Sequence, residues 1–305
     1  MTRLPQKLSK MASEGTRRAV FDAKRNWQSL RHPPLKPTCI ILGVQKGGTS
    51  ALYKYLAQHP NVEAPRIKEV NFFSCNSRFE RGADFYHTHF PRDTGGSARR
   101  IAFEASPDYM AMAEVAAPRI HAYNPGARLI VLLRNPVTRA QSAWAMYRRN
   151  HQANPDWFFN WVKMCDCSIS RDAFVPRSPH FGKDFAADLR EEIAAEENGQ
   201  LIEMPVLAHG HYAAQLAHFA SQFPASQLKV LISEAFSKDT TAALHEIETF
   251  LDIPHHTWRS EDVAPHYVGS YDRVMSDDAK ALLDGYYAPH IAALIGDLGQ
   301  DPGWN

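Results

Sequence analysis

The sequence predicts a single α/β domain with a central parallel sheet flanked by helices. Short apolar runs rich in β-branched residues recur at 39–44, 128–133 and 228–232. Such runs are typical of strands that are buried on both faces, as in parallel sheets. The first two runs lead into segments with helical apolar spacing, and further helical segments follow the third. Strands that alternate with helices in this way form parallel sheets.

Composition and length agree with one globular domain. The chain has 305 residues, of which 44% are hydrophobic and 22% are charged, so wholesale disorder is excluded. No apolar run approaches the roughly 18 residues that a transmembrane helix needs. Four cysteines do not make a disulfide scaffold, and a net charge of +1 argues against a nucleic-acid partner.

The charge is distributed unevenly along the chain. Residues 1–37 contain nine Lys/Arg and two acids, an excess of +7, and the remainder carries −6. We therefore predict a basic N-terminal arm at 1–37 ahead of a domain at 38–305. The arm is either a solvated tail or peripheral helix, or a patch that contacts a polyanion or a membrane surface. It lacks the apolar core of a secretory signal, so we expect a cytoplasmic location.

The individual elements follow from local patterns. The strand at 39–44 leads through a glycine-rich loop into a helix at 51–58, which His59-Pro60 ends. A shorter strand is expected at 100–104. After the strand at 128–133, Asn135 is a natural N-cap and Pro136 fits the first helical position of a helix at 137–149. The remaining predictions are a strand at 228–232 and helices at 183–198, 211–223, 240–251 and 276–295.

The stretch 150–182 lacks clean periodicity and holds four aromatic residues close together. They are Trp157, Phe158, Phe159 and Trp161. We interpret this stretch as an insertion that covers part of the sheet beside a substrate cleft. It is either the lining of an apolar or sugar-stacking acceptor site or ordinary core.

A glycine loop between a buried strand and a helix is an anion-binding device, because its N–H groups and the helix N-terminus face the ligand. Here Gly43 to Ser50 reads G-x-x-x-x-G-T-S, which is P-loop-like. The nucleotide P-loop is G-x-x-x-x-G-K-[ST], so Lys46 stands ahead of its usual place. Neither the strand at 128–133 nor that at 228–232 ends in a magnesium-binding Asp. We therefore expect phosphate binding by Lys46, Gly47, Gly48, Thr49 and Ser50 without a metal; the alternative is a tight turn with a surface lysine.

A second anion site is predicted at 134–142. The strand at 128–133 delivers Arg134 to its carboxyl end, where ligands bind in open α/β sheets. Arg134 can fork onto a phosphate, and Ser142 can add a hydroxyl from the following helix. Arg139 lies three residues before Ser142 and shares its helix face, but it is equally explained as a surface charge.

Together these two motifs resemble the phosphate-binding elements of sulfotransferases that use 3′-phosphoadenosine 5′-phosphosulfate (PAPS). Lys68 to Phe73 resembles the K-E-x-x-F-F signature of the heparan sulfate N- and 3-O-sulfotransferase branch and its bacterial relatives. Glu104 to Tyr109 matches that branch's E-x-S-P-x-Y segment. Later landmarks include Gly210-His211-Tyr212 and the near-terminal Trp304, so the resemblance covers about residues 38–304.

The resemblance implies transfer of a sulfuryl group from PAPS to a hydroxyl or amine, leaving PAP. Glu69 corresponds to the general base, and Lys46 to the cation on the bridging oxygen of the leaving phosphate. Gly47, Gly48, Thr49 and Ser50 correspond to the 5′-phosphate loop, and Arg134 and Ser142 to the 3′-phosphate site. No motif encodes the acceptor, which is a glycan, a lipid, a peptide or a small metabolite, or the choice between O- and N-sulfation.

The sequence departs from the family's pattern at three points. Ala105 stands where some members have a lysine that contacts the sulfuryl group, and Lys68 is the candidate to replace it. Asn71 stands where some relatives have a histidine. Residues 265–273 occupy the place of a basic glycine loop that closes over the nucleotide, but they match it poorly.

Weaker signals give the alternatives. Fifteen histidines include the pairs His87/His89, His209/His211 and His255-His256, but none forms a complete metal-ligand motif, and we expect no metal. Glu104 is the second candidate base, or else a buried carboxylate that pairs with Lys46 or Arg134. The alternative function is a magnesium-dependent, kinase-like P-loop phosphotransferase.

Overall fold

The computed structural model describes residues 33–93, 100–264 and 275–304. A five-stranded sheet with strand order β2-β3-β1-β4-β7 forms the centre of the molecule, and all of its pairings are parallel. A separate two-stranded parallel sheet joins β5 to β6. The strands are β1 (Pro37–Gly43), β2 (Val62–Glu63), β3 (Ile101–Ala105), β4 (Arg128–Leu133), β5 (Phe174–Val175), β6 (Leu201–Ile202) and β7 (Leu228–Ile232).

Helices connect the strands of the central sheet and cover both of its faces. In chain order they are α1 (Thr49–Leu56), α2 (Asn76–Phe79), α3 (Gly82–His87), α4 (Asp108–Ala111), α5 (Ala113–Tyr123), α6 (Pro136–Ala153), α7 (Trp157–Cys165), α8 (Phe185–Glu197), α9 (Tyr212–Ala220), α10 (Ser233–Lys238), α11 (Thr240–Leu251) and α12 (Asp277–Leu298). The molecule is therefore a single α/β domain with a central parallel sheet flanked by helices, as predicted.

The predicted elements are present with small differences at their ends. The helix after the glycine loop begins at Thr49 instead of Ala51, so the loop is shorter than expected. Asn135 caps α6 by accepting a hydrogen bond from the Val137 N–H, and Pro136 takes the first helical position. The pair β5–β6 and the short strand β2 were not predicted, because two-residue strands carry no periodicity.

The central sheet is buried on both faces, which explains its apolar strands. In β1, Ile40 and Leu42 belong to a core cluster under α4, α5 and α9, whereas Cys39 and Ile41 belong to the cluster under α1 and α11. Successive strand residues point to opposite faces, so a strand between two helical layers is apolar at every position. A third cluster joins α6, α8 and α12.

Parallel strands place their carboxyl ends at one edge of the sheet. The glycine loop follows β1, Ser106 and Asp108 follow β3, Arg134 follows β4, and Ser233 follows β7. Ligands bind at this edge in open α/β sheets.

No helix in the described ranges combines the length and the apolar character that crossing a membrane requires. Residues 1–32 of the predicted basic arm lie outside the described residues, and β1 begins at Pro37.

Candidate active site

A cavity of about 1600 Å³ opens at the carboxyl edge of the central sheet. Pockets for a single small ligand usually have volumes of about 300–1,000 Å³, so this cavity has room for two substrates. Of the eight residues predicted for the donor site and the general base, seven line it; these are Lys46, Gly48, Thr49, Ser50, Glu69, Arg134 and Ser142. The eighth, Gly47, is a buried residue of the glycine loop and does not line the cavity.

The glycine loop takes a shape that only glycine permits at its centre. The Gly47 N–H donates to the Val44 carbonyl at 2.9 Å, and a Cβ on Gly47 would lie 2.4 Å from the Leu132 carbonyl oxygen. Gly48 has a φ of 96° and stands immediately before α1. Loop N–H groups and the first turn of α1 therefore meet at the cavity, which is the arrangement that binds anions.

Arg134 links the second predicted anion site to the first. Its Nη1 donates to the Lys46 carbonyl oxygen at 3.0 Å, and its Nε donates to the Thr138 hydroxyl at 3.1 Å. The guanidinium group is thus held between the glycine loop and the first turn of α6. The Lys46 and Arg134 side chains both line the same cavity.

Ser142 and Arg139 have different places although they share one side of α6. Ser142 is buried at the cavity wall. Arg139 is completely buried, donates to the Val206 carbonyl and does not line the cavity. The interpretation of Arg139 as a surface charge is therefore wrong; it ties α6 to the segment that follows β6.

Glu69 reaches the cavity from the loop between β2 and α2. Its side chain is 49% exposed, and its Oε1 lies 2.5 Å from the Lys68 ammonium nitrogen. Its N–H donates to the Ala105 carbonyl oxygen at 3.2 Å. The loop is thereby attached to the end of β3, and the Glu69 carboxylate faces the same cavity as the glycine loop.

The buried residue Glu104 helps to position the loop that carries Glu69. It is fully buried and accepts hydrogen bonds from the hydroxyls of Ser106, Tyr109 and Tyr86. Burial raises the pKa of the Glu104 carboxyl, and the hydroxyl donors oppose that rise. The expected pairing with Lys46 or Arg134 is wrong, since hydroxyls occupy both carboxylate oxygens. Glu104 does not line the cavity.

The same hydroxyls hold the main chain after Glu69. The Ser106 hydroxyl accepts from the Asn71 N–H at 2.9 Å, and the Tyr109 hydroxyl accepts from the Phe72 N–H at 2.9 Å. The E-x-S-P-x-Y segment thus serves as a support for the K-E-x-x-F-F segment. Both Glu69 and Asn71 have positive φ, 65° and 50°, a strained conformation that persists where surrounding contacts impose it.

Asp108 is a cavity residue whose role sequence reasoning missed. Burial, and next the nearby Glu69 carboxylate, raise the pKa of Asp108 to about 6. Perturbed carboxyl groups in clefts are candidates for function. A signal was available, because Asp108 lies four residues after the end of the strand predicted at 100–104, at the ligand-binding edge of the sheet.

Other lining residues come from elements that the sequence did not connect with the site. The segment from Ser233 to Thr241 lines the cavity after β7. Within it, Glu234 accepts hydrogen bonds from the Asn135 N–H at 3.0 Å and from the Trp304 indole at 3.1 Å. The near-terminal tryptophan therefore contacts a residue that lines the cavity. Residues 265–273, the expected closing loop, lie outside the described residues.

Lys68 and Ala105 occupy the positions that the departures from the family's pattern singled out. Ala105 is fully buried, so its side chain makes no contact with the cavity. Lys68 lines the cavity and is paired with Glu69.

Among the described residues, a cluster of three side chains of the types that bind metal ions lies away from the cavity. Ligand atoms of His245, Glu248 and His255 lie within 4.8 Å of one another at the end of α11. Of these, only His255 belonged to the histidine pairs weighed from the sequence. None of the three lines the cavity.

The fold and the cavity define a P-loop-like α/β domain in which a glycine loop, the Arg134 and Ser142 side chains and the Glu69 carboxylate line one space. The family described as "Sulfotransferase domain" matches residues 36–276. The chain belongs to this family.

Individual relatives agree with this assignment. The chain is 43% identical over 217 residues to heparan sulfate glucosamine 3-O-sulfotransferase 6 of Homo sapiens, covering 71% of this chain and 52% of that protein. It is 25% identical over 315 residues to the human bifunctional heparan sulfate N-deacetylase/N-sulfotransferase 3, covering 93% of this chain and 33% of that protein. The chain thus spans between one third and about half of these relatives.

A solved structure shows the same fold. The sulfotransferase from Alicyclobacillus acidocaldarius superposes with a TM-score of 0.62 at 26% sequence identity, covering 88% of this chain and 98% of that one. The resemblance derived from the motifs is therefore confirmed at the level of sequence and of fold.

Proposed function

We propose that this protein transfers a sulfuryl group from PAPS to a hydroxyl, or an amine, of an acceptor by a metal-independent in-line reaction with Glu69 as the general base. The observation that carries the proposal is that three predicted site elements, distant in sequence, lie around the same cavity. The glycine loop, the Arg134–Ser142 site and Glu69 come from three separate parts of the chain and line one cavity.

The donor's phosphates match the two anion sites. Lys46, Thr49 and Ser50, with the N–H groups of Gly47 and Gly48, hold the 5′-phosphate at the N-terminus of α1. Arg134 and Ser142 hold the 3′-phosphate, a position supported by the hydrogen bond between Arg134 and the glycine loop. PAP, the product, keeps both phosphates and binds by the same contacts.

The chemistry is a displacement at sulfur. The acceptor oxygen attacks sulfur, its proton passes to the Glu69 carboxylate, and the bond from sulfur to the bridging phosphate oxygen breaks, with its electron pair leaving on PAP. By analogy with phosphoryl transfer, such a reaction depends mainly on positioning and charge stabilisation. Lys46 stabilises the bridging oxygen, and Lys68, beside Glu69, replaces the lysine that is absent at Ala105.

A thermal-stability assay tests the donor site. We expect PAP at about 100 times its dissociation constant to add about 2.7 kcal/mol, a rise of roughly 5–10 °C in Tm that EDTA does not abolish. Lys46→Ala should reduce the shift strongly because it removes a phosphate contact. Lys183→Ala, at an exposed site outside the cavity, is the matched control and should keep it.

Glu69→Gln should keep the PAP shift but lower turnover by about 10²–10⁴-fold, because a positioned carboxylate base contributes about that much. Glu197→Gln, on an exposed turn of α8, is its control. A shift that appears only with ATP and magnesium would replace the proposal with the phosphotransferase alternative. Full turnover by Glu69→Gln would remove Glu69 from the mechanism.

A further inference from the structure

The last turn of α11 carries a glutamate whose carboxylate is fully buried and does not line the cavity. Glu248 is 0% exposed, and its Oε1 accepts a hydrogen bond from the Trp258 indole N–H at 2.8 Å. Its Oε2 has no hydrogen-bond partner within the described residues. Burial of a carboxylate oxygen without a partner is costly, and a cation beside that oxygen offsets the cost.

The basic side chains nearest to Glu248 do not supply this cation. In the described part of the chain, no lysine or arginine forms an ion pair with Glu248. His59 Nε2 lies 3.7 Å from Glu248 Oε1, but it is 3.0 Å from the Pro254 carbonyl oxygen, to which it donates. His59 Nδ1 accepts from the Asn61 N–H at 3.0 Å, so the ring carries only one proton. Burial also lowers the pKa of His59, which keeps the ring neutral.

Two other imidazole rings lie beside the unpartnered oxygen. His245 is one turn before Glu248 on the same face of α11, and its Nε2 is 4.0 Å from Glu248 Oε2. The chain leaves α11 at Asp252, which has a φ of 54°, and the His255 ring then stacks on the His245 ring with centroids 4.8 Å apart. The fold therefore gathers two imidazoles and a buried carboxylate oxygen around one point.

Both histidines have the freedom to close around an ion. The His245 side chain is 38% exposed, and His255 is exposed. Bonds of about 2.0–2.2 Å to a tetrahedral zinc ion separate its ligand atoms by about 3.3–3.6 Å. The ligand atoms of the three residues lie within 4.8 Å of one another, so inward rotation of the two exposed rings by about 1 Å reaches that geometry.

The hydrogen bonds around the three side chains suit metal ligands. His245 Nε2 lies 3.3 Å from the His256 carbonyl oxygen, and His255 Nε2 lies 3.0 Å from the Thr249 hydroxyl. Each contact occupies one ring nitrogen, and histidines that bind metal ions use their second nitrogen in such a bond. The Trp258 indole orients the Glu248 carboxylate in the same way, with Oε2 left for the ion.

The donor set selects the kind of ion. Magnesium and calcium take oxygen ligands, whereas two imidazole nitrogens with one carboxylate oxygen suit zinc. Three protein ligands leave the fourth tetrahedral position to water. The spacing of the three residues, H-x2-E-x6-H, matches no complete metal-ligand motif, which is why the sequence alone did not indicate the site.

We propose that His245, Glu248 and His255 form a zinc-binding site that joins the end of α11 to the segment after it. The site goes beyond the proposed function, because none of the three residues lines the cavity and the ion takes no part in sulfuryl transfer. Ile253 and Trp258, in the joined segment, belong to the core cluster under α1 and α11. Bound zinc therefore stabilises one edge of that cluster.

Calorimetric titration with zinc chloride tests the site, using the full chain after treatment with EDTA and removal of the chelator. We expect one zinc ion per chain and no binding of magnesium. Zinc at about 100 times its dissociation constant should raise Tm by roughly 5–10 °C. Loss of a residue that merely supports a ligand lowers metal affinity about 10–100-fold, so His245→Ala or His255→Ala should lower it at least about 100-fold.

Two further variants sharpen the test. Glu248→Gln keeps an acceptor for the Trp258 indole but removes the buried charge, and it should also weaken zinc binding. His218→Ala is the matched control, because His218 is exposed on α9, outside the cluster and the cavity, and this variant should keep the zinc affinity.

The outcomes that overturn the inference are distinct from a failure of the proposed function. Unchanged zinc affinity in both His245→Ala and His255→Ala would overturn it, as would an absence of zinc binding or an equal response to magnesium. The PAP-induced rise in Tm should be the same in these variants as in the unaltered protein. Its loss on removal of zinc would show that the ion belongs to the donor site, which contradicts a site apart from the cavity.

Discussion

At the scale of single residues, Tyr109 connects the segment after β3 to the segment that carries Glu69. Its hydroxyl donates to the buried Glu104 carboxylate and accepts from the N–H of Phe72, 37 residues earlier in the chain. A buried carboxylate without partners is costly, so a network of hydroxyls both satisfies Glu104 and fixes the segment that carries Glu69. The carboxylate that the sequence offered as a second base is thus a positioning residue.

Asp108 is the residue whose ionisation we expect to affect stability. Its pKa is raised from 3.8 to about 6 in the folded protein, first by burial and next by Glu69. The folded state then binds more protons than the unfolded state between these values, so stability falls as pH rises from about 4 to about 6. At about 1.4 kcal/mol per unit of pKa difference, the loss is at most about 3 kcal/mol.

Asp108→Asn removes this ionisation. Its free energy of unfolding should therefore decline less between pH 4 and pH 6 than that of the unaltered protein, as measured by urea denaturation at several pH values. Asp172→Asn, on an exposed turn outside the cavity, provides the control and should show the unaltered slope. Identical slopes for Asp108→Asn and the unaltered protein would show that Asp108 keeps an ordinary pKa.

At the scale of elements, the residues at the N-terminus of α6 determine where this helix begins. Asn135 accepts from the Val137 N–H and Pro136 begins the helix, immediately after the strand that delivers Arg134. The helix then carries Ser142 to the cavity. The geometry of the second predicted anion site therefore depends on where this helix begins.

Removal of that cap should affect both stability and ligand binding. Asn135→Ala should cost about 1 kcal/mol, or roughly 2–4 °C in Tm, and should weaken PAP binding because it loosens the start of α6. Asp184→Ala removes the cap of α8, whose carboxylate accepts from the N–H groups of Ala186 and Ala187 far along the chain. Its stability loss should be similar.

Calorimetric titration with PAP distinguishes the two variants. Asp184→Ala should bind PAP with unaltered affinity, since Asp184 does not line the cavity. Equal weakening of PAP binding in both variants would show that the effect arises from stability alone and has no relation to the anion site.

At the scale of the whole molecule, the basic excess of the N-terminal arm and the residues of the candidate site lie in different parts of the chain. Residues 1–32 carry most of the basic excess, whereas every residue placed in the site lies within the described ranges after Lys36. The described residues before β1 already contact the body, because the Leu35 N–H donates to the Pro91 carbonyl oxygen at 2.9 Å. The boundary for a truncation therefore lies before Pro33.

Deletion of residues 1–32 should leave the PAP-induced rise in Tm unchanged, because every residue that we assign to the donor site lies after that segment. If the arm is a patch for polyanions or membrane surfaces, the same deletion should abolish salt-sensitive binding to heparin or to vesicles that contain phosphatidylglycerol. Sedimentation and heparin chromatography of both proteins measure this. A truncated protein that no longer responds to PAP would place part of the donor site in the arm.

Much of the candidate site could be predicted because it is local in sequence. The glycine loop, Arg134 with its following helix, and the Lys68-Glu69 pair each lie within a few residues of a strand end or a recognisable motif. Strand patterns alone indicate that the carboxyl ends of β1 and β4 meet at one edge. The role of Glu69 as general base came from the family resemblance, because the spacing of the residues around Glu69 does not indicate it.

The sequence by itself therefore determined the fold class and the positions of the glycine loop and of Arg134 at the ends of their strands, because apolar periodicity and glycine placement act through neighbouring residues. Only the tertiary structure decided the burial of Arg139, the hydroxyl partners of Glu104, the place of Asp108 and the course of α7 along the cavity. These depend on contacts between segments that are distant in sequence. Such contacts arise from the packing of helices against the sheet, which leaves no periodic signal in any single segment.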